Sequence, residues 1–143
     1  MDLIKRNTDY ALRAMVALAK QQDDEPVSAT VISEEQQIPY QLACKLLQSL
    51  QKQGFVTSKM GPKGGFKLSK PPSKVRLIEI VELVQGPLSV NRCLLGAAKC
   101  PLQTKCPIRG KLSRLQRYMK NYLADITLDE LARTSAKSLR KRK

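Results

Sequence analysis

Three of the four cysteines lie close together and carry the clearest chemical signal in the chain. Cys93, Cys100 and Cys106 have six and then five residues between them. A glycine lies between the first two, and a proline directly follows the second and the third, which is typical of a loop that can turn several sulfurs toward one centre. Thiolates prefer zinc, copper(I) or iron–sulfur clusters. The spacing therefore predicts a metal or cluster site.

The charges around these thiols are of one sign. No aspartate or glutamate lies between Leu83 and Ala124, and the nearby cations are Arg92, Lys99, Lys105 and Arg109. Positive surroundings favour the thiolate, the form that binds metal. Three ordinary small apolar residues, or a disulfide with a spare thiol, are the alternatives. Clustered cysteines in a chain without an export signal favour metal or redox chemistry over both.

The overall charge predicts a polyanionic partner. The 143 residues carry a formal net charge of +14, which is large for this size. Residues 36–78 contain eight lysines and arginines and no acid, a pattern that favours phosphate contact over an ordinary solvated surface. The N-terminus lacks a signal-peptide pattern and no stretch is long and apolar enough to cross a membrane. We therefore expect a cytoplasmic protein without membrane contact.

The N-terminal half shows the order of elements of a winged helix-turn-helix. Hydrophobic periodicity predicts a helix over residues 4–20, a short helix capped by Ser28, and a second helix that Ile38 and Pro39 open and that stops before Gly54. Residues 55–60 and 66–69 alternate and flank a glycine-rich turn, which predicts a β-hairpin. A further short helix begins near residue 77 and ends near Gly86. In such a fold the second helix of the pair enters the major groove.

The candidate DNA contacts follow from that arrangement. The recognition helix offers polar side chains to bases or phosphates, the start of the preceding helix offers hydroxyls to a phosphate, and two lysines flank the tip of the wing. The residues are, in that order, Tyr40, Gln41, Lys45 and Gln48; Ser28 and Thr30; Lys59 and Lys63.

The C-terminal third contains an apolar stripe with alternating spacings of four and three. The stripe is Ile108, Leu112, Leu115, Met119, Tyr122 and Ile126. It predicts one long helix that packs against the same helix of a second copy, although packing on its own domain would give a similar stripe.

The predicted fold class is mainly α with a small β-hairpin. A winged helix-turn-helix domain over residues 1–86 precedes a cysteine-rich loop over residues 87–107. A dimerisation helix and C-terminal segment over residues 108–132 come next. A basic tail, which we expect to be disordered, occupies residues 133–143.

Several short pieces of the chain, in this order, resemble the IscR/NsrR-type iron–sulfur winged-helix transcription regulators. They are residues 9–14, 38–39, 45–47, 54–56, 61, 64–66 and 127–131, together with the three cysteines. The resemblance implies a homodimeric regulator, in most members a repressor. Its affinity for double-stranded operator DNA would depend on a 2Fe–2S or 4Fe–4S cluster that senses nitric oxide, redox state or iron–sulfur status.

The resemblance also bears on the fourth cluster ligand. The IscR-like branch uses a histidine three residues after the last cysteine, but Arg109 stands there and the chain has no histidine. The NsrR-like branch uses an aspartate of the other subunit, and Asp9 occupies that position. The alternative is that Asp9 is an ordinary first-turn acid that interacts favourably with the helix dipole. The interval between Cys93 and Cys100 is one residue longer than that branch usually shows, and Met60 stands where many members carry arginine.

Three other interpretations are open to test. A winged-helix regulator could hold structural zinc, or use its cysteines as a thiol switch without a cluster. A redox or metal-handling enzyme is disfavoured, because the chain has no histidine base, no CxxC pair and no nucleotide-binding loop. We therefore expect a protein that is not an enzyme.

Overall fold

The computed structural model describes residues 2–21, 24–95, 100–102 and 105–134, and over these ranges the chain is mainly helical. The helices are α1 (Arg6–Ala19), α2 (Ala29–Gln36), α3 (Tyr40–Lys52), α4 (Leu77–Gln85), α5 (Pro107–Asp125) and α6 (Leu128–Thr134), and the strands are β1 (Val56–Lys59) and β2 (Gly65–Leu68). Short 3-10 turns cover Pro72–Lys74 and Arg92–Leu95. This confirms the predicted fold class.

Helices α1, α3 and α4 supply most of the core. The buried side chains of α1 and α3 recur at three- and four-residue spacing, so each of these helices has one apolar face, and α4 buries the adjacent pair Ile80 and Val81. Burial of one large apolar side chain stabilises a fold by about 1.5–3 kcal/mol. The buried apolar residues of the three helices are Ala11, Ala14, Met15, Leu18, Ala43, Leu46, Leu47, Leu50, Ile80 and Val81.

The turn between α2 and α3 is fixed by local hydrogen bonds. Ser28 caps α2 as predicted, because its Oγ accepts from the Val31 N–H at 3.2 Å. At the other end of α2, the Ile38 N–H donates to the Ser33 carbonyl at 2.9 Å. Pro39 is the N-cap of α3, so the helix begins directly after the Ile38–Pro39 pair that was predicted to open it.

The wing is an antiparallel hairpin that is pinned to the segment before α2. Val56 pairs with Leu68 and Lys59 with Gly65. Val27 and Phe66 exchange two backbone hydrogen bonds of 2.8 Å. Gly65 lies so close to Val27 that an added Cβ would be 2.4 Å from its carbonyl. Glycine at residue 65 therefore allows the segment before α2 to pair with the hairpin.

Helix α6 and the residues just before it return to the core beside α1, which no sequence pattern indicated. The Leu77 N–H donates to the Ile126 carbonyl at 3.0 Å, and the Leu128 N–H donates to the Val75 carbonyl at 2.9 Å. Leu128 is 1% exposed and belongs to the same core cluster as Met15. Helix α6 also reaches two residues into the predicted tail, and the rest of that tail lies outside the described residues.

Candidate DNA interface and cysteine segment

Helix α3 separates a buried apolar face from an exposed polar face. Leu46, Leu47 and Leu50 are buried. The predicted contacts Gln41, Lys45 and Gln48 are all exposed. Because residues spaced by four and three share one face of a helix, these three side chains project together, away from the core. The face carries donors and acceptors of the kind that read base edges and phosphates.

Tyr40 extends this face toward the start of α2. Its side chain is exposed, and its phenol interacts with the Cys44 thiol and the Thr30 hydroxyl. The Cys44 interaction raises the pKa of Tyr40 above its ordinary value. The predicted contacts Thr30 and Tyr40 are therefore neighbours, although they belong to different helices. Cys44, which showed no role in the sequence, is a further neighbour of Tyr40.

The other hydroxyl predicted at the start of α2 has a structural role. Ser28 is half-buried, and its Oγ already accepts the Val31 N–H. Its hydroxyl proton can still be donated to a phosphate, but Ser28 is less exposed than Thr30. The geometry therefore favours Thr30 as the phosphate donor at this helix start.

The wing presents its lysines in two ways. Lys59 and Lys63 are exposed near the tip, as predicted. Closer to the base, Lys67 pairs with Asp24 at 3.2 Å and Lys70 lies 4.9 Å from the centre of the Phe55 ring. The two tip lysines are thus the ones placed to meet a phosphate backbone.

One hydrogen bond ties the wing to the recognition helix. The Gln51 amide donates from Nε2 to the Ser58 Oγ at 2.9 Å. Because Gln51 is in α3 and Ser58 is in β1, this contact helps to fix the distance between the two DNA-facing surfaces.

The three clustered cysteines occupy different local structures. Cys93 lies in the turn Arg92–Leu95, Cys100 lies in a loop, and Cys106 is the N-cap of α5. All three are half-buried and none forms a disulfide. Within the described ranges no three cysteine or acidic side chains stand close enough together to hold a metal ion. The donor set suits a soft metal or cluster, but the structure does not bring it to one centre.

Asp9 lies in the first turn of α1, where it forms a contact that the sequence analysis missed. Its carboxylate pairs with Arg13 at 3.1 Å and its side chain is 57% exposed. Arg13 also donates to the Gln36 carbonyl at 2.8 Å and lies over the Tyr10 ring. Because Gln36 ends α2, Arg13 links α1 to the turn that precedes the recognition helix. Asp9 is therefore one contact away from that turn.

Gln85 is a second residue whose role no sequence pattern indicated. Its Oε1 accepts from the Lys5 N–H at 3.0 Å and from the buried Thr8 hydroxyl at 2.7 Å, and its Nε2 donates to the Leu3 carbonyl at 2.9 Å. It ends α4, directly before the chain enters the cysteine segment. One side chain thus ties that segment to the start of α1.

The apolar stripe of α5 is divided between two faces. Leu112 and Met119 are half-buried, and α5 packs on α4 with a 3.5 Å ion pair between Lys120 and Glu82. The exposed apolar side chains are Ile108, Leu115, Tyr118 and Tyr122. These four form an unpartnered row at spacings of seven, three and four residues. The predicted stripe therefore includes residues that pack within the chain itself.

These surfaces define a winged helix-turn-helix protein that binds DNA. The chain belongs to the Rrf2 family, described as "Iron-dependent Transcriptional regulator", whose model matches residues 4–134. This confirms the predicted kinship with IscR-type regulators, and it confirms that the chain is a transcription regulator and not an enzyme. Within the described ranges, no helix combines the length and the apolar character needed to cross a membrane.

Relatives and solved structures agree with that assignment. A putative HTH-type transcriptional regulator of Aquifex aeolicus is 31% identical over 132 residues, 91% of each chain. The regulator IscR of Klebsiella pneumoniae is 33% identical over 122 residues, 85% of this chain and 74% of the relative. CymR, the global cysteine regulator of B. subtilis, superposes with a TM-score of 0.79 at 26% identity, over 94% of this chain and 99% of the other. IscR of T. potens, at 21% identity, shares the fold with a TM-score of 0.77, over 94% and 89%.

Proposed function

We propose that this chain is a cytoplasmic, homodimeric repressor whose operator affinity depends on an iron–sulfur cluster held by Cys93, Cys100 and Cys106. The observation that carries the proposal is the set of three half-buried free thiols among cations, in the segment that joins α4 to α5. The family description as iron-dependent and the IscR relatives support it. A bound cluster would supply a centre that reacts with nitric oxide and oxidants and requires iron.

The dimer would form through the exposed row of α5. Ile108, Leu115, Tyr118 and Tyr122 place four large apolar side chains on one face of a 19-residue helix. Leu3, Ile4, Met119 and Leu123 line an apolar hollow with the two tyrosines. An unpartnered apolar face of this kind suits a second copy of the same helix, because the contact is then self-complementary.

The DNA contacts of the proposal are those that the fold leaves exposed. Gln41, Lys45 and Gln48 would enter the major groove. Thr30 and Tyr40 would approach a phosphate at the start of α2, with Ser28 as a weaker donor. Lys59 and Lys63 would meet the backbone beside the wing. Each lysine that neutralises a phosphate contributes about 0.9 to the slope of log affinity against log salt. The double variant Lys45→Ala/Lys63→Ala should flatten that slope, whereas Lys105→Ala, outside the winged helix, should leave it unchanged.

Asp9 is the proposed fourth ligand, donated across the dimer. In this structure its carboxylate is held by Arg13, which also holds the Gln36 carbonyl at the turn before α3. If the Asp9 carboxylate left Arg13, the guanidinium would lose its ion-pair partner and keep the Gln36 carbonyl and the Tyr10 ring. Through Arg13 alone, binding of Asp9 to the cluster would then change the contacts of the turn that precedes the recognition helix.

Two amides would carry a conformational change of the cysteine segment into the fold. Gln85 joins the end of α4 to the start of α1, and the Gln116 Oε1 accepts the Val90 N–H at 3.0 Å. Val90 lies three residues before Cys93, so displacement of the segment would pull on α1 and on α5 together. One contact leads toward the helix-turn-helix and the other toward the proposed dimer interface.

Anaerobic purification with a visible spectrum and assays for iron, sulfide and zinc tests the proposal. We expect iron and inorganic sulfide with the broad absorption of thiolate-bound iron. The variants Cys93→Ser, Cys100→Ser and Cys106→Ser should lose both, and Asp9→Ala should retain less iron or lose it faster in air. Cys44→Ser is the matched control and should keep the wild-type spectrum. A colourless protein after anaerobic reconstitution would overturn the cluster assignment, and bound zinc would identify a structural site.

A thiol switch is the second candidate. The oxidized form of Staphylococcus aureus CymR superposes on this chain with a TM-score of 0.73 at 25% identity, over 92% of this chain and 96% of the other. We propose as the alternative that oxidation of thiols takes the place of a cluster in this chain. Under that function the purified protein would hold no iron, and DNA affinity would change on oxidation in the wild type but not in the cysteine variants.

A further inference from the structure

Met60 stands at the outer end of the wing with its side chain 92% exposed. Single exposed apolar residues are common on protein surfaces, so exposure alone carries little information. The position is what matters here, because Met60 directly follows β1 and begins the turn of the hairpin. The tip of the wing thus carries a long apolar side chain, at the opposite end of β1 from its buried residue Val56.

The hairpin holds that side chain in a defined place. The Gly64 N–H donates to the Gly61 carbonyl at 2.9 Å and closes the turn, and Gly61 has a φ of 107°. An added Cβ on Gly64 would lie 2.0 Å from the Lys59 carbonyl. The turn is therefore built so tightly that it requires glycine. The base of the wing is fixed in turn by Val27 and by the hydrogen bond from Gln51 of the recognition helix.

Cations lie on both sides of Met60. Lys59 and Lys63 are exposed, and the sequence contains no acid anywhere in residues 36–78. An apolar tip between two cations is the arrangement with which architectural proteins enter the minor groove. The cations contact the two phosphate backbones while the apolar side chain packs against or between base steps. A lysine or arginine at residue 60 would add charge to the contact, and methionine adds apolar surface instead.

We propose that Met60 is a specificity-determining residue of the wing. It enters the minor groove beside the major-groove half-site and packs against a deformable pyrimidine–purine step. Such steps unstack and kink most easily. The wing would thereby select flanking sequence by shape, in addition to the bases read by α3. The inference rests on the DNA-binding function of the fold and is independent of the cluster proposal.

Parallel selection from a pool of randomised DNA duplexes tests the inference, with wild type, Met60→Leu, Met60→Ala and Met60→Arg. All four should enrich the same half-sites, since α3 is unchanged. Wild type and Met60→Leu should also enrich TA or CA/TG steps at a fixed distance outside each half-site, and Met60→Ala should lose that preference. On the selected duplex, Met60→Ala should bind about tenfold more weakly, a typical cost for one lost specific contact.

Salt dependence separates the apolar contact from the charged ones. Met60→Ala should weaken DNA binding without changing the slope of log affinity against log salt. Lys63→Ala should make that slope shallower, and Met60→Arg should make it steeper by about 0.9, the contribution of one neutralised phosphate. Unfolding temperatures of the three Met60 variants should match wild type, because the side chain is exposed. If Met60→Ala binds as tightly as wild type and selects the same flanks while Lys63→Ala flattens the slope, the wing meets DNA through its cations alone. That result overturns the inference and leaves DNA binding intact. If wild type enriches no sequence, the DNA interface itself is wrong and the inference fails with it.

Discussion

The winged helix and the cysteine segment differ in how well they bury their apolar side chains. Ile32, Leu47, Leu50 and Ile80 of the winged helix are completely buried. In the cysteine segment, taken as residues 87–106, Leu88 is the one buried side chain among the described residues. The same segment exposes large apolar residues such as Leu95 and Leu102. One region is thus held by its own core and the other is not.

The difference in packing suits a difference in task. A region with few buried contacts opens at a small fraction of the global free energy of unfolding, so a bound group can set its conformation. A DNA-reading surface needs the opposite, because its helix and wing must keep a fixed separation. Gln85 lies where the two regions meet, and it acts through hydrogen bonds instead of apolar packing.

We expect the largest loss of stability from a substitution in α6, which tests whether this helix belongs to the winged-helix core. Leu128→Ala removes a side chain that is completely enclosed by the winged-helix core, so it should lower the free energy of unfolding by about 2–5 kcal/mol in urea titrations. Leu102→Ala, in the exposed part of the cysteine segment, is the matched control and should change it by less than about 0.5 kcal/mol. Equal effects of the two substitutions would show that α6 does not belong to the winged-helix core.

A smaller effect is expected where the wing meets the segment before α2. Gly65→Ala places a Cβ against the Val27 backbone at a φ of 152°, so either the hairpin or the Val27 bridge must shift. We expect a loss of about 1–3 kcal/mol, the usual range for overpacking. Gly110→Ala is a control of opposite sign. Gly110 lies in α5 with open space around it, and alanine there should stabilise the protein by about 0.5–1 kcal/mol. If Gly65→Ala and Gly110→Ala destabilised the protein equally, the close approach of Gly65 to Val27 would not be the cause of the loss.

Local patterns in the sequence predicted most of the fold. The apolar spacing of α1 and α3, the Ser28 cap and the glycines of the wing each depend on neighbours within a few residues, and each was confirmed. The helix over Pro107–Asp125 was predicted within one residue at each end. These features could be read because helix and hairpin formation are governed by short-range periodicity and turn chemistry.

Contacts between distant parts of the chain could not be read in the same way. The bond from Thr8 to Gln85 spans 77 positions and the bond from Arg13 to Gln36 spans 23, and single polar residues of this kind leave no periodic signal. The two faces of α5 were also indistinguishable in sequence, because Leu112 and Leu115 have the same side chain and only packing on α4 separates them. The three clustered cysteines indicated thiolate ligands. Whether their loop closes around a metal or cluster depends on the bound group, which the sequence does not contain.

Cys93 tests whether the cysteine segment contributes to the packed structure. In iron-free protein, Cys93→Ser should change the free energy of unfolding by less than about 0.5 kcal/mol, because the thiol is half-buried in a loosely packed turn. After anaerobic reconstitution with iron and sulfide, the wild type should become more stable and the variant should not, since a group bound only by the folded state adds its binding free energy. Urea titrations of both proteins with and without iron make the measurement. A large loss in the iron-free variant would show that the segment is part of the packed structure.

The smallest effect concerns the charged end of the winged-helix core. The Thr127 hydroxyl donates to the Asp129 Oδ1 at 2.5 Å, and the Arg133 Nη2 donates to Oδ2 at 2.7 Å. The Thr127 hydrogen bond, followed by the charge of Arg133, lowers the pKa of Asp129. Because the pKa is lower in the folded state, the carboxylate contributes stability that is present above its unfolded pKa and is lost as the pH falls through the folded value. Asp129→Asn should therefore lower the unfolding temperature slightly at pH 7 and match wild type in acid below the folded pKa, where the carboxyl is protonated in both states.

Two further variants identify the origin of that contribution. Arg133→Gln keeps the Thr127 hydrogen bond, which is the larger cause, so it should retain most of the pH dependence, whereas Thr127→Val should remove most of it. If Arg133→Gln removed it instead, the pair on the exposed side of α6 would be the dominant contact. Helix α6 would then be held on the core mainly by a charge pair. Because 0.5 M salt screens exposed charges within roughly 4–5 Å, it should then lower the unfolding temperature of the wild type at pH 7.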